Sequence, residues 1–314
     1  MENGHGTPIR INEVATRDGF QMEPVFVPTS DKIGLIDTLS TLGFAKIEVS
    51  SFTSPKAIPT LRDAAEVMGG IKRNKDVVYT ALIPNVRGAE RAIASGVDEF
   101  NLVMSVSETH NLCNLRMTRE QSFAQLTDVI ALARDAGVPV NVSLSTSFGC
   151  PMEGEVASAE VLRWVARFAA MAVKGITLCD TTGMAYPLQA QSLCAQAIVE
   201  FPRLDFTAHF HNTRGMGLTN VVAAVEAGIT RLDAPGATGN VATEDVAHML
   251  DCLGYHTGLD LQGLIAAAAR LRYLVEHALP AQVSAAGPRL RQYQVPEDFE
   301  AIRARAHARM EVAA

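Results

Sequence analysis

The chain has 314 residues, 48% of them hydrophobic, ample for one large core and about the length of a single (β/α)8 barrel with additions. A net charge of −7, from 34 acidic and 27 basic residues, argues against nucleic acid as a main partner. No apolar run of about 18 residues occurs, so no membrane span is expected, and Met1-Glu2-Asn3-Gly4-His5-Gly6 lacks the basic start and apolar stretch of a secretory signal.

Strand-like and helical segments alternate along the chain. A strand expected over Ile9–Val14 is followed by Arg17-Asp18-Gly19, then a helix over Thr29–Leu42 that stops at Gly43. The second strand, Ala45–Val49, carries Glu48 among apolar neighbours, and a helix follows over Leu61–Arg73. Strand three, Val77–Ile83, leads to a helix over Ala89–Ala94, and strand four, Glu99–Met104, to one over Thr118–Ala136. Strand five, Val138–Ser145, is followed by Phe148-Gly149-Cys150-Pro151 and a helix over Ala157–Val173. Strand six, Gly175–Cys179, runs into Asp180-Thr181-Thr182-Gly183 before a helix over Pro187–Glu200. Strand seven is Asp205–His211, with a helix over Leu218–Ala227. Strand eight, Ile229–Asp233, leads to Gly239-Asn240. Helices are then expected over Glu244–Leu253 and Leu261–Leu279, an irregular stretch over Ala281–Gln294 and a last helix over Pro296–Ala313.

Eight βα repeats with short links predict an α/β fold, a parallel (β/α)8 TIM barrel with additional C-terminal helices. No glycine-rich dinucleotide fingerprint follows the first strand, which weakens a doubly wound alternative. Residues 1–275 read as the barrel with its following helices, and 276–314 as a C-terminal extension of unassigned role. Five irregularly spaced cysteines include no Cys-x-x-Cys pair, so reduced thiols in a cytoplasmic protein are expected. Cys150 reads as a small structural residue in a turn.

His209 and His211 are two apart on a strand and so project to one face, as two metal ligands must. Taken alone, ordinary hydrogen-bonded histidines at a polar strand end are the commoner case. Their company changes the balance. Acids, an arginine, an amide and these imidazoles gather at strand C-termini, which converge on one mouth in a (β/α)8 barrel. Each also has a plainer reading. Arg17 pairs with Glu48 on the rim, Asp18 caps a turn, Asp180 and Glu244 cap helices, and Asn240 is a turn residue.

The ordered motifs resemble the 3-hydroxy-3-methylglutaryl-CoA lyase family of the DRE-TIM metallolyases, from about Ile9 to Leu261. They are Arg17-Asp18-Gly19-Phe20-Gln21, Ile47-Glu48-Val49-Ser50-Ser51-Phe52-Thr53-Ser54-Pro55-Lys56, Pro84-Asn85-Val86-Arg87-Gly88 and Gly149-Cys150-Pro151-Met152-Glu153-Gly154. Cys179-Asp180-Thr181-Thr182-Gly183, His209-Phe210-His211-Asn212-Thr213 and Gly239-Asn240-Val241-Ala242-Thr243-Glu244-Asp245 complete the set. The resemblance implies a divalent ion held by Asp18, His209, His211 and Asn240, with Gln21 and Glu244 supporting the ligands. One carboxylate, two imidazoles and an amide oxygen suit Mg²⁺ or Mn²⁺, with Co²⁺ a further option.

The reaction implied is retro-Claisen cleavage of a 3-hydroxyacyl-CoA to acetyl-CoA and a keto acid. Arg17 would face the developing enolate, Asp180 would transfer the proton and Glu48 would orient Arg17 or the substrate. An acyl-CoA substrate and a homodimer follow from the resemblance. Lys56 and Arg87 are candidates for CoA phosphates, with solvated surface charge the commoner role. Alternatives are a citramalyl-CoA-type lyase, a condensing enzyme such as isopropylmalate synthase, or a barrel that binds metal or acyl-CoA without turnover.

The pattern departs in one place. Relatives carry a glycine-rich loop with a catalytic cysteine after strand eight, similar to Gly-Gly-Leu-Gly-Gly-Cys-Pro. Here Asp233-Ala234 meets Pro235-Gly236-Ala237-Thr238-Gly239-Asn240, with both flanks matching. The expectation is a lid belonging at this join, with the two Cα atoms further apart than the ~3.8 Å of one trans peptide. A true absence would put ordinary lyase turnover in doubt.

Overall fold

The computed structural model describes residues 8–234, 239–275, 277, 279 and 281–312. Eight parallel strands close into one barrel in chain order. They are β1 (Arg10–Glu13), β2 (Lys46–Ser51), β3 (Val78–Leu82), β4 (Glu99–Ser105), β5 (Val140–Ser145), β6 (Gly175–Asp180), β7 (Asp205–Phe210) and β8 (Arg231–Asp233). The closing seam pairs Arg10 with Arg231, Ile11 with Leu232 and Asn12 with Asp233. The outer layer contains α1 (Thr29–Leu39), α2 (Ala64–Gly70), α3 (Val86–Ala94), α4 (Glu108–Leu115), α5 (Arg119–Asp135), α6 (Ser158–Ala169), α7 (Pro187–Glu200), α8 (Gly217–Glu226) and α9 (Thr243–Cys252). α10 (Leu261–Leu271) and α11 (Gln282–Ala286) pack beside α9, and α12 (Phe299–Val312) follows in the chain. No helix among the described residues is long and apolar enough to cross a membrane.

Local chemistry explains several boundaries. Thr118 and Gln121 form a reciprocal capping box at the start of α5, and the Asn85 side chain accepts the Gly88 N–H at the start of α3. α4 was not expected from the sequence. It is short, capped by Ser107 and ended by Arg116 in the left-handed region (φ 60°), and a two-turn helix is too brief for an apolar stripe to declare itself. α10 ends eight residues before the expected Leu279. There the N–H groups of Tyr273 and Leu274 turn to partners three residues back, tightening the last turn. α11 lies in the stretch expected to be irregular. Its first N–H groups, from Gln282 and Val283, donate to the Asp245 carboxylate at 2.9 and 2.7 Å, a tertiary cap that local sequence does not announce.

The two faces of the strands differ sharply. Outward residues such as Ile11, Ile47, Tyr79, Leu102, Leu144 and Leu178 are buried against the helices and form the main core. Inward residues are mostly polar. Asn12, Glu48, Thr80, Asn101, Asn141 and Thr177 line a cavity inside the barrel, where layers of bulky aliphatic side chains are the usual filling. At its floor Lys46 and Lys174 both pair with the buried Glu99. Buried polar groups cost stability unless they are bonded to one another, and most of these side chains are so bonded, Asn12 Oδ1 being left without a partner among the described residues.

The turn after α1 is held by backbone contact. Gly43 sits at φ +94°, and a Cβ there would stand 2.2 Å from the Gly258 carbonyl oxygen. Gly43→Ala therefore combines left-handed strain with a backbone collision. It is expected to lower stability by about 2 kcal/mol or more, read as a reduced urea midpoint. An unchanged midpoint would show that the turn yields freely.

Candidate metal centre and active site

Strand ends bring the site together. His209 is on β7 and His211 just beyond it, both projecting into the mouth with ring centroids 5.3 Å apart. Asp18 comes from a five-residue π-helical turn, Ala15–Gly19, directly after β1. One ligand atom each from Asp18, His209 and His211 lie within 4.8 Å of one another. Asn240 follows β8, bridges to His211 through the backbone, and donates Nδ2 to Asp18 Oδ2 at 2.9 Å. Its Oδ1 is buried without a hydrogen-bond partner.

The electrostatics suit a cation. Burial and the neighbouring His209 lower the pKa of His211 to about 4, so its imidazole is neutral at pH 7. Burial opposes charge on Asp18, but Arg17, His209 and the Asn240 hydrogen bond outweigh it and hold the carboxyl below its ordinary range. Burial also opposes a charged His209, yet the Asp233 carboxylate outweighs it and raises the pKa. His209 Nδ1 is 3.5 Å from Asp233 Oδ2, and Asp233 Oδ1 accepts Asn12 Nδ2 at 2.8 Å. This carboxylate fixes the ring through Nδ1 and leaves Nε2 for a ligand. The orphaned Asn240 oxygen, two imidazoles and one carboxylate together fit a bound metal ion.

Arg17 stands beside the cluster. Its Nε donates to Glu48 Oε2 at 2.5 Å and its Nη1 to Asp18 Oδ1 at 2.9 Å. Burial works against the cation, but Glu48 and Asp18 outweigh it and raise the pKa. Nη2 has no hydrogen-bond partner among the described residues. Burial pushes Glu48 up, and Arg17 and Asn101 pull it back. Arg17 therefore pairs with Glu48 on the rim, as the plainer reading expects, and the pairing fixes the plane of the guanidinium.

Asp180 ends β6. Its Oδ1 accepts the N–H groups of Met184 and Ala185 at 2.7 and 3.2 Å, while Oδ2 is buried without a partner. Burial raises its pKa against those two bonds. Gln21 and Glu244 are not hydrogen-bonded to a ligand. No hydrogen bond of the Gln21 side chain occurs among the described residues. Glu244 lies in the first turn of α9 and turns to α11, accepting Ser284 Oγ at 2.6 Å. Lys56 and Arg87 are exposed. Cys150 is buried in a turn, with its Sγ accepting from Ser107 Oγ at 3.1 Å. The expected gap between Ala234 and Pro235 lies outside the described residues. The sequence is continuous there, so no cysteine-bearing loop stands between Asp233 and Asn240.

Sequence reasoning missed Glu13, whose outward side chain joins two ligand-bearing segments. Its Oε1 accepts the Ala15 N–H at 2.8 Å, and its Oε2 lies 2.9 Å from Thr243 Oγ1. The same Thr243 hydroxyl donates to the Ala234 carbonyl. A hydroxyl has one proton. Burial pushes the pKa of the Glu13 carboxyl from 4.5 up to about 7, so below that pH the acid form can donate to the Thr243 oxygen while Thr243 donates to Ala234.

A closed (β/α)8 barrel with a candidate metal site of one carboxylate and two imidazoles at its C-terminal mouth belongs to the enzymatic barrels. The chain belongs to the HMGL-like family, whose profile matches residues 8–271. It is 39% identical to a hydroxymethylglutaryl-CoA lyase of Bacillus subtilis over 87% of this chain and 95% of that protein. It is 36% identical to the mitochondrial hydroxymethylglutaryl-CoA lyase of Gallus gallus, over 90% of this chain and 98% of that one. A solved HMG-CoA lyase from Acinetobacter baumannii, in complex with coenzyme A and 3-methylmalate, superimposes with a TM-score of 0.89 at 43% identity. The match covers 94% of this chain and 100% of that one.

The raised pKa of Glu13 carries a pH signature. Its folded pKa is above the ordinary 4.5, so the folded chain keeps a proton that the unfolded chain releases. The stabilisation is fully present below about 4.5 and is lost as pH rises to about 7 and through it. Glu13→Gln supplies a permanent N–H to Thr243. It should gain on wild type by up to about 3 kcal/mol at pH 8 and show no gain near pH 4.5 in urea unfolding. A variant destabilised at pH 8 would mean that Glu13 is ionised.

Proposed function

We propose that this chain is a divalent-metal-dependent carbon–carbon lyase. It cleaves a 3-hydroxyacyl-CoA, 3-hydroxy-3-methylglutaryl-CoA or a close relative, to acetyl-CoA and a keto acid. The carrying observation is Arg17, held on two sides by Glu48 and Asp18 beside the Asp18–His209–His211 cluster, with no partner on Nη2 among the described residues. The names of the relatives support the substrate class.

Asp18, His209, His211 and Asn240 would hold the ion, for which Mg²⁺ or Mn²⁺ suits the oxygen and nitrogen donors. Bound there, a divalent ion lowers the cost of ionising the substrate's tertiary hydroxyl. Asp180, with one oxygen anchored and the other free, takes that hydroxyl proton. The bond between C2 and C3 then breaks. Its electrons pass to the thioester as an enolate, and the former alcohol carbon becomes the ketone. Arg17 offers its free N–H edge to the enolate oxygen. Asp180 has the proton in hand to return to the enolate carbon, which completes acetyl-CoA. This order needs no cysteine, in keeping with the sequence between Asp233 and Asn240.

The test is release of acetyl-CoA from 3-hydroxy-3-methylglutaryl-CoA and citramalyl-CoA with Mg²⁺ or Mn²⁺. Retained metal binding without turnover would favour a non-catalytic barrel. Arg17→Lys keeps the charge but loses the planar fork. It is expected to fold and to lose roughly 10²-fold in kcat with little change in KM; near-normal kcat would reduce Arg17 to a rim residue. His209→Ala should weaken Mn²⁺ binding by at least about tenfold in calorimetry, and unchanged affinity would remove His209 from the ligand set.

A further inference from the structure

We propose that Asn101 is a positioning residue for the reaction, acting through Glu48 on Arg17. The inference rests on the reading of Arg17 as the group that meets the enolate oxygen.

Asn101 is on β4, inside the barrel and 9% exposed. Its Nδ2 donates to Glu48 Oε1 at 2.7 Å, and Glu48 Oε2 takes the Arg17 Nε. The two oxygens of one buried carboxylate are thus divided between the amide and the guanidinium. The amide has a fixed sense. Its Oδ1 accepts Asn141 Nδ2 at 3.0 Å and Ser143 Oγ at 2.8 Å. Asn141 Nδ2 is held in turn by Thr177 Oγ1 at 2.9 Å. A flipped Asn101 would turn its oxygen toward the Glu48 carboxylate and its NH₂ toward the Asn141 donor, losing both bonds. The line therefore runs from Thr177 on β6 through Asn141 on β5, Asn101 on β4 and Glu48 on β2 to Arg17 after β1. Each link determines the orientation of the next.

Stability does not explain this arrangement. The same positions in a barrel interior are ordinarily filled by aliphatic side chains, and apolar replacement of a whole buried polar network is often neutral or stabilising. What the network supplies is a carboxylate that cannot rotate. Without the Asn101 donor, Glu48 keeps one partner and gains a torsional freedom that passes directly to the guanidinium. Among the described residues Asn101 makes no hydrogen bond to the candidate ligands, so its loss should change the aim of Arg17 and leave metal and substrate binding alone.

Asn101→Leu removes the donor at similar volume. The expected result is a kcat lower by about 10- to 100-fold, with KM and Mn²⁺ affinity within twofold of wild type. In the Arg17→Lys background the same substitution should lower kcat by less than about threefold, because there is no aimed fork left to disturb. If Asn101→Leu does not fold, Asn101→Ala removes the donor with less bulk and takes the same measurements. A variant kcat within twofold of wild type, or a full loss repeated in the Arg17→Lys background, overturns the proposal and leaves Asn101 a packing residue. A wild-type chain that releases no acetyl-CoA overturns the functional reading and this proposal together. An active wild type with an equally active variant overturns this proposal alone.

Discussion

The parallel pairing of β1 with β8 closes the barrel, and that closure is the constraint on which the site depends. It sets Asn12 against Asp233 and lays the turn at 15–19 beside Gly239 and Asn240, more than 200 residues later in the chain. Asp18 and Asn240 meet only because the two ends of the sheet meet. A barrel left open at this seam would keep His209, His211 and Asn240 together on the β7–β8 side but would lose the Asp18 carboxylate and Arg17. An ion held by side chains from both sides of this seam would bind the closed barrel and not the open chain, and so would stabilise the closure.

The interior polarity follows from the same demand. An arginine and two acids at the mouth cannot rest on a floor of aliphatic side chains without paired partners. The barrel supplies those partners in depth. Glu48 stands below Arg17, Asn101 and Asn141 below Glu48, and Glu99 with two lysines at the floor. The apolar core is displaced to the other face of the strands, between sheet and helices, where Tyr79, Phe100, Trp164 and Phe168 are fully buried. This division also explains why polar residues interrupt apolar runs along the strands. Parallel strands buried on both faces usually read as continuous apolar segments.

Glu13 shows how the scaffold outside the barrel serves the mouth. One carboxyl bridges the turn that carries Arg17 and Asp18 to the entry of α9 just after Asn240. As the neutral acid it can donate at one oxygen and accept at the other, which an ionised carboxylate cannot do. Burial against α1 and α10 favours that form, and Glu244, turned the other way to Ser284, adds a second acid to the same crevice.

Much of this was legible in the sequence. The eight strands, their alternation with helices and the closed parallel barrel follow from periodicity and glycine stops. His209 and His211 announce themselves because a strand's twofold period places both on one face. Arg17, Asp18, Glu48 and Asp180 stand out as charges at the ends of apolar runs. The sequence is silent on who partners whom. α4 and α11 are too short to carry a pattern, and α11 begins where Asp245 catches its first N–H groups. Asn101 and Asn141 read as polar residues on strands, nothing more, until β2, β4, β5 and β6 are wrapped round one axis. Glu13 reads as one more acid until Thr243 is beside it. Periodicity is a property of neighbours along the chain and can be read from the chain. The orientation of a side chain and its state of protonation are set by atoms that arrive from far away in sequence, so only the closed barrel decides them.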